Sequence, residues 1–277
     1  MSVWVPEMLF LKRPPSASIR QFVEYLWLLS DVPSHARERI LPTGTLELVF
    51  NLHDDQIRIY DSAGVCRAFS GAVISGAYAV PFEIDAAVHT LMMGVHFRPG
   101  GAFAFTRVPP GELANAHVDA AMLWGSYATQ LRERLRSAVT PGDRFDILDG
   151  ALAARAGGHA NPSGRAISTA LHQLARPDPR VREIVSSLGI SHRHFATLFR
   201  REVGMTPKLF ARIQRFQRAV AIARAGRVED CARLSCECGY YDQAHMNRDF
   251  AAFARSTPRE YLRPQSGWTK DHHVPLP

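Results

Sequence analysis

The chain has 277 residues, 46% hydrophobic and 21% charged, with a formal charge of +7. This is an ordinary globular composition, and the length leaves room for two domains. No run approaches the roughly 18 apolar residues of a membrane helix. The start, "MSVWVPEMLFLKR", lacks a basic leader and an apolar core, and four cysteines do not make a disulfide scaffold. These features predict a cytoplasmic protein with no membrane partner.

The charge is unevenly placed. From Asn161 onward there are 19 Lys+Arg against 10 Asp+Glu, a net of +9, while residues 1–160 carry 14 against 16, a net of −2. Arginine supplies nearly all of it, since the lysines are Lys12, Lys208 and Lys270. A basic module beside a neutral one is the electrostatic pattern of a polyanion binder with a second domain.

In chain order, residues 9–107 alternate. "LELVFN" (46–51), "QIRIYD" (56–61), "HTLMMGVHF" (89–97) and "GAFAFT" (101–106) read as short strands between turn-formers. This predicts a mainly β sandwich or barrel, a cupin-like barrel being one form of it. From Val118 the period turns helical. Met122, Leu123, Tyr127, Leu131 and Leu135 form one stripe, with Arg132, Glu133, Arg134 and Arg136 largely off it. "DRFDILDGALAARA" makes a second helix, so this first domain spans 1–158, β-rich to about 110 and helical over 118–156. "GGHANPSG" (157–164) has linker composition. The segment 164–265 reads as all helix, and 266–277 as a tail. Asp178-Pro179, Thr206-Pro207 and Thr257-Pro258 look like N-caps followed by proline at the first helical position.

The helical half repeats itself. Gly189 pairs with Gly239 at an offset of 50. Phe199 pairs with Phe250, and Thr206-Pro207 with Thr257-Pro258, both at 51. Phe210 and Tyr261 then fall in equivalent places, and an amphipathic helix precedes each glycine. Helix, glycine turn, helix, written twice, is a tandem helix-turn-helix, whose second helix lies in a major groove. Phe195, Leu198 and Phe199, with Met246 and Phe250, are the expected anchors. The outward faces carry His192, Arg193, Ala196, Thr197 and Arg200 in copy one, and Gln243, Ala244, Asn247 and Arg248 in copy two. Arg, Asn and Gln make bidentate contacts to guanine or adenine. The connecting helix, from Pro207 to about Ala225, spans roughly 28 Å at 1.5 Å per residue, close to the ~34 Å of one duplex turn.

These residues resemble the AraC/XylS family of transcription regulators over roughly 165–263. "CGYYDQAHMNRDFAAFARSTPREYL" (238–262) is similar to the family's C-terminal signature, and "LGISHRHFATLFRREVGMTPKLF" (188–210) to its first unit. The resemblance implies base contacts by Arg193, Ala196 and Thr197, and by Gln243, Ala244, Asn247 and Arg248. It also implies an N-terminal effector-binding or dimerisation domain, to which "ILPTGTLELVFNL" and "GVHFRPGGAFAF" are similar. The chain departs from the pattern where Gly204 of copy one becomes Arg255 in copy two, and in the three cysteines of "CARLSCEC".

The expected function is therefore that of a sequence-specific DNA-binding transcription regulator responding to a small-molecule effector. It is not an enzyme and needs no cofactor. Its partners are double-stranded promoter or operator DNA and an unknown effector, and the regulator reading also admits a homodimer and RNA polymerase. Candidate effector contacts are Trp27, Tyr78, His96, Phe97 and Arg98, against the plainer reading of core aromatics and a turn cap. Cys231, Cys236 and Cys238 on one helix, and His53, His89 and His96 in the β region, invite metal readings. On a helix Cys231 and Cys238 share a face but lie about 10 Å apart along the axis while Cys236 points elsewhere, and His89 and His96 differ in strand parity, so small buried or satisfied polar residues are the stronger expectation. The alternative class is an enzyme with a regulatory DNA-binding tail, such as a thiol-based DNA-repair protein using Cys66. No G-x-S-x-G, Walker A or H-E-x-x-H pattern is present.

Overall fold

A computed structural model describes residues 9–30, 35–86, 89–156, 164–177, 179–225, 230–261 and 272–276. The N-terminal half is two antiparallel sheets followed by helices. Strands β1 (Leu9–Arg13), β2 (Val23–Ser30), β9 (Leu91–Phe97), β4 (Glu47–Asn51), β7 (Ala72–Ser75) and β10 (His117–Asp119) form a six-stranded sheet in that spatial order. The second sheet has five strands in the order β11 (His273–Leu276), β3 (Arg37–Ile40), β8 (Phe82–Asp85), β5 (Gln56–Tyr60) and β6 (Cys66–Ser70). It draws its edge strand from the far end of the chain. The fold is a sandwich backed by helices.

Strand alternation divides the six-stranded sheet between two cores. On β9, Met93, Val95 and Phe97 join the large core, which continues under the helices. Met92 faces the other sheet with Trp27 and Leu29 of β2, Val73 of β7, and Ile57 and Ile59 of β5. Cross-strand pairing aligns Tyr25, His96 and Glu47, and two rows along, on the same face, Trp27, Gly94 and Val49. Gly94 is required where it stands: a Cβ there would fall 2.4 Å from the Trp27 ring and 2.8 Å from the Leu48 carbonyl.

Two expectations for this half are corrected. "GAFAFT" is not a strand; Phe103–Thr106 is a helical turn, α1, with Ala104, Phe105 and Thr106 consecutively buried. The small/aromatic alternation imitated a strand, but the Phe105 carbonyl is taken by Trp124 Nε1 (3.1 Å) and Arg155 Nε (3.0 Å) rather than by a sheet partner. The helix expected from Val118 is interrupted too. Val118 pairs in β10, α2 covers Ala120–Trp124, and Gly125, at φ +59°, starts α3 (Ser126–Ser137) at a new angle. Met122, placed on the apolar stripe, is 78% exposed. Arg132, placed off it, is buried; its Nε donates to the Asn51 carbonyl (2.7 Å), and Nη2 to the Asp54 carbonyl (2.6 Å) and Asp55 (2.9 Å). Helix α4 (Pro141–Ala156) completes the layer.

The linker expected at 157–164 falls almost wholly outside the described residues, as does Asp178; Pro179 is not the first helical residue expected, because the next helix begins at Val181, after Arg180. Beyond the linker come α5 (Gly164–Leu174), α6 (Val181–Ser187), α7 (His192–Val203), α8 (Pro207–Arg224), α9 (Cys231–Glu237), α10 (Gln243–Ala254) and α11 (Pro258–Tyr261). Their apolar core is continuous with the helical layer of the first half, through residues such as Leu41, Ala77, Met205 and Phe210. No described helix is long and apolar enough to cross a membrane.

Candidate nucleic-acid interface and inter-sheet cavity

The sequence repeat is a structural repeat. Helices α7 and α10 have 12 residues each and begin on side-chain caps. The Ser191 hydroxyl accepts from the His194 N–H (3.2 Å), and the Asp242 carboxylate from the His245 N–H (2.6 Å). Such caps satisfy backbone donors that have no partner within the helix. Thr206 caps α8 in the same way, and Thr257 forms a reciprocal box with Glu260. Each reading helix is then fastened by an equivalent aromatic pair. Phe199 meets Phe210 at 5.7 Å and 65°, and Phe250 meets Tyr261 at 5.7 Å and 70°. These edge-to-face contacts fix the helix to the turn that follows it.

Phe195, Phe199, Met246 and Phe250 are fully buried and Leu198 is half-buried, as anchors should be. On the opposite faces, His192, Arg193, Thr197 and Arg200 are exposed and Ala196 is half-exposed; Gln243, Ala244, Asn247 and Arg248 are exposed. The Arg248 guanidinium folds back on its own helix, Nε donating to the Ala244 carbonyl at 3.3 Å. Between the readers, α8 has 18 residues, a length of roughly 27 Å.

The departure at Arg255 leaves the turn intact. Gly204 ends α7 in the left-handed region at φ +94°, and Arg255 ends α10 at φ +53°. Arginine takes a conformation that glycine would occupy more cheaply, with its guanidinium donating to the Ser62 carbonyl at 3.3 Å.

A partner that sequence reasoning missed lies between α8 and α10. Arg212 donates twice to one oxygen of the buried Asp249, from Nε at 3.0 Å and Nη2 at 2.7 Å. Asp249 sits at the position that Leu198 holds in copy one. Only that mismatch between the copies signals it.

The readers are also joined to the first half. The end of α7 packs on the 3-10 turn Pro110–Glu112, where a Cβ on Gly111 would meet the Arg200 carbonyl at 2.7 Å. Arg39 of β3 donates to the Ala254 carbonyl at the end of α10 (3.2 Å). From α8, Gln214 and Gln217 donate to the carbonyls of Thr43 (3.0 Å) and Pro42 (2.7 Å).

A cavity of about 810 Å³, its open mouth included, lies between the two sheets. Its walls are aliphatic and aromatic, with Glu38, Glu47, His89, His272 and His273 among the polar groups. Glu47 accepts from His96 Nδ1 (2.6 Å) and lies 3.5 Å from His272 Nε2. Burial pushes its carboxyl up, but the charges and hydrogen bonds of His272 and His96 more than reverse this, holding it well below the usual carboxylate range. Nearby, His117 donates to or accepts from Ser75 (3.0 Å) and stacks on Tyr78. Burial, with Arg67 adding to it, lowers its pKa to about 3, so this imidazole is neutral at physiological pH.

The candidate effector residues divide. Trp27 lines the cavity, and Tyr78 lines an adjoining hollow of about 290 Å³ that shares Glu47, Ser75 and His272 with it. His96 stands behind the wall, stacked on Tyr25 at 4.8 Å. Phe97 points the other way into the large core, because it is one residue along the strand from His96. Arg98 is exposed and caps a turn, Nε donating to the Arg20 carbonyl at 3.0 Å. Neither Phe97 nor Arg98 reaches the cavity.

Among the described residues no histidine, cysteine or carboxylate group is arranged to hold a metal. His53 is exposed in a turn, apart from His89 and His96. Cys238 is buried, which pushes its thiol up to about 11; Cys231 is half-buried and also raised by burial. Cys236 is exposed, contrary to the expectation of a buried residue, because it lies off the helix face that packs. Cys66 is exposed on the edge strand β6.

Residues 184–264 match a family described as helix-turn-helix domain, and residues 11–119 one described as a domain of unknown function (DUF6597). No curated protein matches the chain. Among solved structures, wild-type ToxT from Vibrio cholerae with unsaturated fatty acid bound is 10% identical, with a TM-score of 0.51 over 93% of this chain and 99% of that one. An apo form of a ToxT single-residue variant from the same strain is also 10% identical, with a TM-score of 0.49 over 90% and 98%. The xylose-binding transcription activator XylR is 18% identical, with a TM-score of 0.31 over 53% and 39%. The first of these has the same fold as this chain.

Proposed function

We propose that the chain is an AraC-type DNA-binding transcription regulator, a reading supported by the helix-turn-helix match over residues 184–264, and that it works in two parts. Its outward helix faces read an operator, and a small molecule in the inter-sheet cavity biases that reading. The observation that carries the first part is the pair of equally capped, equally anchored helices on one strut, each with a polar outer face. Arginine contacts to phosphate supply salt-dependent affinity. Base-edge contacts by Arg193, Ala196 and Thr197, and by Gln243, Ala244, Asn247 and Arg248, supply sequence choice. His192 and Arg200 flank the first set. Ala196 and Ala244 fit beside a thymine methyl.

For the second part, the cavity has the concave, apolar lining of a small-molecule site. The fatty acid bound in the ToxT structure, which shares the fold, supports an amphipathic effector. Trp27 is then a wall of the site, and Tyr78 guards the adjoining hollow. The segment Leu41–Thr45 forms one side of that hollow, and its carbonyls are gripped by Gln214 and Gln217 of α8. A ligand that moves this loop moves the strut and so changes the population of the DNA-competent state. Double-stranded promoter DNA is the macromolecular partner, and a homodimer fits the same scheme.

Arg248→Ala tests the reading. It is expected to cost about 1–3 kcal/mol of operator binding and to relax preference at one base pair. A selection from randomised sites gives the answer, and an unchanged preference removes Arg248 from the base-reading set.

A further inference from the structure

We propose that the cavity takes an amphiphilic cation, an apolar body with a protonated amine head, and that this head displaces His272 and His273, the two residues of the segment 272–276 that line it. This rests on the cavity being the effector site. Its walls are aliphatic and aromatic on both sheets, so an apolar body gains by entering. The carboxylates on those walls are Glu38 and Glu47. Both are held by the tail: His273 Nδ1 lies 2.6 Å from Glu38, and His272 Nε2 3.5 Å from Glu47. Behind them, His35 meets Glu38 at 2.9 Å and His96 meets Glu47 at 2.6 Å.

Of the three histidines lining the cavity, His89, His272 and His273, two therefore belong to the tail. Without the tail, the polar end keeps both carboxylates and loses two of its hydrogen-bond donors. A protonated amine restores what the tail supplied, and aromatic walls at Tyr25 and Trp27 suit a cation as well. A carboxylate head would instead face two carboxylates and would depend on the tail's histidines.

The tail's strand is a short edge. Among the described residues His273–Leu276 pairs with β3 alone and each residue of it is half-buried, while the buried His272 before it accepts from the Leu41 N–H at 2.8 Å. Short edge strands sit at the low end of local stability. Its departure reaches the DNA-binding half directly. Arg224, the last residue of α8, donates to the His273 carbonyl (3.1 Å) and to the Tyr261 hydroxyl (3.2 Å), so a freed tail releases one tie on the end of the strut.

The test uses the full-length protein, calorimetric titration with n-octylamine and n-octanoate, and amide hydrogen exchange. His272→Ala with His273→Ala should tighten n-octylamine binding at least tenfold and leave n-octanoate binding unchanged or weaker. His272→Gln with His273→Gln, which still donates to both carboxylates, should stay near the wild-type affinity. In the wild type, n-octylamine should speed exchange at residues 37–40. An n-octylamine affinity that falls or does not change in the alanine variant overturns the proposal. So does n-octanoate binding that is preferred in the wild type and lost in that variant, a result that would leave the cavity standing as the effector site. If neither amphiphile binds any form, the proposal fails together with the cavity reading, while the DNA-binding assignment is untouched.

Discussion

Replacing Arg212 by alanine is expected to destabilise the protein by about 3 kcal/mol and to abolish recognition of the half-site read by α10. The magnitude is the lower end of the cost of breaking a buried ion pair, because the outer part of Arg212 is 37% exposed while Asp249 is 1% exposed. Asp249 would keep its desolvation penalty and lose its charge partner. The loss falls between the strut and the second reader, where Arg212 also lies 5.1 Å over the Phe253 ring. Copy one needs no such pair, since Leu198 stands in the equivalent place. Changing both residues, Arg212→Leu with Asp249→Leu, should therefore recover most of the stability. Urea unfolding of the wild type and these variants measures the effect, and a single Arg212→Ala as stable as the wild type would remove the ion pair from the account.

The second large effect is expected at Gly94. Gly94→Val puts a branched side chain where even a Cβ lies 2.4 Å from the Trp27 ring. The Leu48 carbonyl closes the other side, so the indole must turn into the cavity. Overpacking of this kind costs about 1–3 kcal/mol. The larger consequence is functional: n-octylamine should no longer raise the melting temperature, while DNA affinity at the reading helices stays within a fewfold of wild type. A variant that keeps its ligand-induced thermal shift would place the ligand elsewhere.

How far the sequence was legible follows from where its signals are local. Caps, prolines and phenylalanines recur at fixed offsets, so the tandem unit and its outward faces could be read directly. The same alignment marked the departure from glycine at Arg255, yet the backbone keeps the left-handed conformation there, held by surrounding structure rather than by residue preference. In the first half, alternation identified strands such as 46–51 and 56–61 and failed where it was fortuitous, at Phe103–Thr106. Parity along β9 was the signal that separates His96 from Phe97. The cavity itself was not legible, because it depends on two sheets facing each other and on Glu38, Glu47, His272 and His273, which are up to 235 positions apart. The tail's place in the second sheet had no local signal at all: "HVPL" reads as an extended end, and only pairing with β3 gives it a role.

The account depends above all on α7 and α10 addressing one face of a duplex, spaced by α8. Hydroxyl-radical footprinting on a selected operator tests this most directly. Two protected patches on the same face, their centres separated by about 10 base pairs, are the expected result, and Arg248→Ala should weaken one of them. A single patch, or two on opposite faces of the helix, would contradict it.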